Sequence, residues 1–117
     1  MGPEELRNRT KAFALDVMRL FRTLPYRTDA QVVGKQLLRC GTSVAANYRA
    51  VSRARSKAEF VAKLGVVVEE ADEAILWLEL LRDSGIVATE RIAGLLTEAH
   101  ELTAIFTASQ RTAKGAV

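Results

Sequence analysis

SKAEFVAKLGVVVEEADEAILWLELLRDSG, residues 56–85, is the stretch that decides the fold. Ser56 with Glu59 three residues later is a capping-box pattern, and Gly85 supplies a left-handed stop at the far end. Between them Phe60, Leu64, Val67, Ala71, Ala74, Ile75 and Leu78 recur mostly at spacings of three and four, which lays an apolar seam along one side of an α-helix. Such a seam is the pattern that buries a helix in a bundle. Val66, Trp77 and Leu81 cluster on a flank roughly 100° from the seam, interrupted by Glu70 and Glu73. That flank exceeds what one core requires. It predicts a subunit interface through Val66, Glu70, Trp77 and Leu81, the alternative being packing on a neighbouring helix of the same chain.

Outward from this helix the pattern repeats. Downstream, residues from about Thr89 to Ala113 place Ile92, Leu95, Leu96, Ala99, Leu102 and Phe106 on one face. Upstream, Thr28 with Gln31 is a second capping-box pattern, opening a helix that runs to about Ser52 with Val33, Leu37, Cys40, Val44, Tyr48 and Val51 along one stripe. The first helix, about Glu5 to Leu24, carries Phe13, Val17, Leu20, Phe21 and Leu24, and Pro25 closes it. Ser52 to Arg55 connects the second helix to the third. Four helices at about 5–24, 28–52, 56–84 and 89–113, joined by short connections, predict an all-α, antiparallel up-down four-helix bundle occupying residues 1–117 as a single domain.

The chain of 117 residues is 49% hydrophobic, with seven Gly and two Pro, a composition that can bury a core and disfavours an all-β fold. Its formal charge of +3 conceals a division. Residues 1–58 hold twelve bases and four acids, and residues 59–117 hold five bases and ten acids. Such a polar chain either binds a polyanion with its first half or pairs its own halves or its neighbours. Cys40 is the only cysteine, which precludes an intrachain disulfide and fits a reducing cytoplasm. The start lacks a signal-peptide pattern and no stretch approaches 18 uncharged apolar residues, so a cytoplasmic protein with no membrane partner is expected.

The clearest functional signal lies on the second helix. Between Ala30 and Ala58 stand Lys35, Arg39, Arg49, Arg53, Arg55 and Lys57, with no acid among them. At 100° per residue Lys35, Arg39, Arg49 and Arg53 fall within roughly 80° of one another, opposite the apolar stripe, as a ridge about 27 Å long. Arginines so arranged suit a bidentate grip on nucleic-acid phosphates, RNA or DNA; a solvated face with salt bridges to an acidic neighbour is the plain alternative. Tyr48 falls on the core face, so base stacking is not expected and recognition should favour backbone and shape. Gln36, Ser43 and Asn47 border the apolar face, and Glu70 or Glu73 on an antiparallel neighbour could accept from Ser43 and Asn47.

Catalytic patterns do not accompany the ridge. A ferritin-like di-metal site takes Glu-x-x-His pairs, but the one histidine, His100, follows Thr97 at that spacing and projects opposite its helix's seam. Glu69, Glu70, Asp72 and Glu73 spread over several faces, and there is no phosphate loop or zinc-ligand spacing. No enzyme activity, cofactor or metal is therefore expected. A binding protein fits best, with a protein-interaction scaffold using the acidic second half as the alternative.

The ordered set Gln36-Leu37-Leu38-Arg39, Thr42-Ser43-Val44, Asn47-Tyr48-Arg49 and Arg55-Ser56-Lys57-Ala58-Glu59-Phe60, followed by Lys63-Leu64, Glu69-Glu70, Glu73 and Trp77-Leu78-Glu79-Leu80-Leu81, resembles a known family. It is similar to the four-helix-bundle proteins related to those encoded in 23S rRNA intervening sequences, sometimes labelled S23 ribosomal proteins, from about Arg9-Thr10 to Arg111-Thr112. The resemblance implies an antiparallel four-helix bundle, a ring-shaped homopentamer and no enzymatic activity. Distant relatives serve as accessory proteins of diversity-generating retroelements, where a similar basic pentamer engages nucleic acid and a reverse transcriptase. On this chain the resemblance implies Arg39, Arg49, Arg53 and Arg55 as contact surface.

Overall fold

A computed structural model describes residues 1–115. It has four helices, α1 (Pro3–Arg22), α2 (Thr28–Val51), α3 (Lys57–Asp83) and α4 (Thr89–Ala113), and no strand among the described residues. They form an elongated bundle of 46 × 22 × 21 Å. Consecutive helices pack side by side, and α1 and α4 close the ring through its thinnest interface. The all-α four-helix fold expected from periodicity is the one observed.

Local chemistry accounts for the helix ends. Pro3 sits in the first turn of α1, where its missing N–H costs nothing, and Glu4, Glu5 and then Arg19, Arg22 complement the macrodipole. Ser56 caps α3 by accepting from the Glu59 amide at 3.1 Å. Gly85 adopts φ +82°, letting the chain turn back so that the Val87 amide reaches the Leu81 carbonyl at 3.0 Å.

The expected capping box at Thr28 does not form. The helix begins one residue earlier in register: Arg27 is the extended N-cap residue and its carbonyl takes the Gln31 amide at 2.9 Å, so Thr28 is already helical. Asp29 accepts from the Ala30 amide at 2.8 Å, and the Gln31 side chain donates to the Pro25 carbonyl at 2.9 Å instead of reaching back to the cap. Arg27 beside it, then the amide, hold the Asp29 carboxyl below its ordinary range.

Each predicted seam lies inside. Phe13, Val17, Leu37, Val44, Leu64, Val67, Leu78, Ile92, Leu102 and Phe106 are almost wholly shielded from solvent. Tyr48 and Phe106 meet with ring centroids 5.1 Å apart, tilted by 37°. Two glycines set the approach of α1 to α2. A Cβ on Gly41 would come within 2.9 Å of both Val17 methyls, and one on Gly34 would collide with Leu24 and press on Phe21. Seven residues apart, they give α2 a smooth strip against which α1 lies close.

Candidate nucleic-acid interface

The basic ridge of α2 does not behave as one surface, because its two ends have different neighbours. At the end nearer the helix start, Arg39 reaches across to α3. Its Nη1 lies 3.1 Å from a Glu70 carboxylate oxygen, and its Nη2 donates to Glu73. The same Glu73 oxygen accepts from the Cys40 thiol at 3.0 Å and the Trp77 indole N–H at 3.0 Å. The thiol and indole, with Arg39 behind them, hold the Glu73 carboxyl below its ordinary range. Cys40 is fully buried, and burial with the adjacent carboxylate pushes its thiol up to about 12. It is therefore protonated at neutral pH and acts as a donor.

Cys40, Glu70 and Glu73 place three potential ligand atoms within 4.8 Å of one another. The carboxylates already have a cation in the Arg39 guanidinium, and the third atom is a protonated thiol. This is an ion-pair network that ties α2 to α3, and it commits the half-exposed Arg39 guanidinium to two carboxylates that a phosphate would have to displace.

Toward the other end the ridge gains cations. α1 runs antiparallel to α2, so its second and third turns flank the end of α2. Arg7 and Lys11, four residues apart, come alongside Arg49 and Arg53, also four apart. With Asn8 and Ser52 they line one open depression of about 420 Å³, and no carboxylate of a described residue lines it. Among the described residues none of these four cations is in an ion pair, in contrast to Arg9, which binds Glu98 and Glu101 across the α1–α4 interface. Arg53 itself stands in the turn after α2 rather than on the helix.

The remaining ridge residues disperse. Lys35 is exposed on α2 away from the depression. Arg55 is extended into solvent near Glu59 at 3.8 Å, and the Lys57 amine approaches the chain at Gly115, after α4. Reading α2 alone therefore missed Arg7 and Lys11. Their spacing of four was visible, but its meaning depends on which helix lies beside them.

The polar edge residues pair differently from expectation. Asn47 donates to the Ser43 carbonyl at 2.9 Å and hydroxyl at 2.7 Å on its own helix, and Gln36 accepts from Arg39 at 3.4 Å. Glu70 and Glu73 are engaged by Arg39, so they do not receive Ser43 or Asn47. On the α3 flank, Leu81 has no exposed surface: the turn through Gly85 brings buried Val87 over that end of the core. Leu81 is a core residue and not part of an outward flank. Trp77 is half-buried against the core, while Val66 is 40% exposed. Leu76 and Leu80, at 48% and 40%, are the outward apolar residues that the sequence reading passed over. His100 is exposed on α4.

The class defined by this geometry is an all-helical bundle whose conspicuous surface feature is a basic depression. A sequence model described as 23S rRNA-intervening sequence protein matches residues 5–108, and the chain belongs to that family. A crystal structure of a protein with unknown function from the S23 ribosomal protein family, from Bacteroides thetaiotaomicron, is similar over 95% of this chain and 99% of its own, with a TM-score of 0.87 and 29% sequence identity. Comparison with curated proteins gives no match. No helix among the described residues is long and apolar enough to cross a membrane.

Proposed function

We propose that this chain is a non-enzymatic, homo-oligomeric bundle protein that binds nucleic acid, RNA foremost, through the depression formed by Arg7, Lys11, Arg49 and Arg53. The observation that carries the reading is the convergence of four cations, none in an ion pair with a described residue, on an open concavity that no carboxylate of a described residue lines. Guanidinium groups match phosphate oxygens in a bidentate way, and the C-terminal end of α2 beside them favours positive charge. The lining has no aromatic platform, so the grip is on the sugar-phosphate backbone and base identity matters little. Val66, Leu76 and Leu80 on the outer face of α3 support self-association on a different side of the molecule.

Binding of a labelled, structured RNA across a salt series tests the reading. Four phosphate contacts give log K against log salt a slope of about −3. The Arg7, Lys11, Arg49, Arg53 to Ala variant should lose the binding while keeping its helicity. Equal binding by that variant would reject the depression as the contact surface.

A further inference from the structure

Beside the basic depression, where α1 starts, α2 ends, α3 starts and α4 ends, the core is open. Leu6, Val51, Phe60, Leu64 and Phe106 wall a chamber of about 280 Å³. The polar side chains lining it are three hydroxyls, Tyr48, Ser52 and Ser109. Ser52 lines both the chamber and the basic depression, so the two are contiguous. The Tyr48 hydroxyl makes no hydrogen bond to a described residue, yet among the described residues no fully buried side-chain oxygen or nitrogen lacks a partner. That hydroxyl is therefore reached from the open space. Burial raises the Tyr48 phenol, and the opposing influence of Arg7 shows that the positive rim lies near it.

An apolar chamber with few polar groups at its edge is the usual form of a small-ligand site. A nucleobase would leave its ring donors and acceptors facing hydrocarbon, whereas an alkyl chain loses nothing there. An anionic headgroup at the chamber mouth would meet Arg7, Arg49 and Arg53.

We propose that the chamber and depression together form a binding site for a single-chain anionic amphiphile, an alkyl phosphate or carboxylate whose tail enters the chamber while its head rests on Arg7, Arg49 and Arg53. The chamber holds about nine water-sized units at ~30 Å³ each, which sets the order of tail length. This site does not depend on nucleic-acid binding, and its test contains none.

The experiment is calorimetric titration of the full chain with hexyl, octyl and decyl phosphate below their micellar concentrations, beside octanoate, 1-octanol and inorganic phosphate. Affinity should rise about fourfold for each methylene that enters, then level off when the chamber is full. Octanol and inorganic phosphate should each bind at least tenfold more weakly than octyl phosphate. The octanoate arm identifies the preferred head: tighter binding than octyl phosphate points to a fatty acid, weaker binding to an organic phosphate. Ser109→Phe, which fills the chamber, should flatten the chain-length series. Arg7→Ala with Arg53→Ala should weaken every member about tenfold and leave the dependence on length intact. Affinity independent of chain length in the unmodified protein, which needs no variant to fold, would overturn the proposal. So would equal binding of octanol and octyl phosphate, or an unchanged series in a folded Ser109→Phe protein.

Discussion

The two ends of α2's outer face begin from the same residue type and arrive at opposite roles. Arg39 faces α3, whose Glu70 and Glu73 accept its guanidinium and join it to a buried thiol and an indole. Arg49 and Arg53 face Arg7 and Lys11 of α1, and no carboxylate of a described residue lines the depression the four share. An arginine on an exposed helix face is thus fixed as brace or binding group by the neighbouring helix, and the difference follows from the charge division along the chain. The acid-rich second half supplies α3, and the base-rich first half supplies both α1 and α2.

The strongest way to break this comparison is to reverse the charge of one end. Arg49→Glu with Arg53→Glu should reduce RNA affinity at least a hundredfold in a filter-binding or anisotropy assay. The double variant's thermal midpoint should fall only slightly, because neither side chain has an ion-pair partner among the described residues and the cost is that of a negative charge at the C-terminal end of α2, about 0.3–1 kcal/mol.

Next in size, Gly41→Leu forces a side chain against Val17, which is fully buried and stiff at χ1. Overpacking of this kind costs about 1–3 kcal/mol, read as a lower midpoint in urea unfolding. Prising α1 from α2 also separates Arg7 and Lys11 from Arg49 and Arg53. RNA affinity should fall in a variant that still holds the Arg39–Glu73 pair.

Cys40 reports on the brace. Its thiol is buried and hydrogen-bonded, so alkylation by iodoacetamide at pH 8 should be slow in the folded protein and rapid in denaturant. The folded thiol is raised to about 12 from an ordinary 9.0, so the unfolded chain ionises first and stability falls as pH rises from about 9 toward 12. Cys40→Ser should reduce that alkaline loss, measured as the thermal midpoint against pH.

The smallest expected effect is on the acid side. Glu73 has a lowered folded value against an ordinary 4.5, so its contribution is complete above that pH and is lost as pH falls through the folded value. Glu73→Gln should flatten the acid limb of the stability curve slightly, the pair being half exposed.

Much of this architecture was legible because bundle helices announce themselves by periodicity. Ser56, Gly85 and the seams of Leu64 to Leu78 and Ile92 to Phe106 needed no tertiary information. What a single helix could not reveal was its neighbour. Arg39 is separated by 31 and 34 residues from its acids, so nothing local distinguishes it from Arg49. Arg7 and Lys11 were hidden for the same reason. Gly34 and Gly41 read as ordinary small residues until α1 is laid against them. Leu81 and Trp77 share a flank on a helical wheel, and only the turn at Gly85 buries one more deeply than the other. Thr28 satisfied a cap pattern that the extended Arg27 pre-empted.

The division of the ridge is tested most directly by the salt dependence of RNA binding in three proteins: the unmodified chain, Arg39→Ala, and Arg49→Ala with Arg53→Ala. The unmodified chain and Arg39→Ala should share a slope near −3 in log K against log salt, and the double variant should drop to about −1.5. A slope that falls as far in Arg39→Ala as in the double variant would contradict the account, since it would make Arg39 a phosphate contact and not a brace.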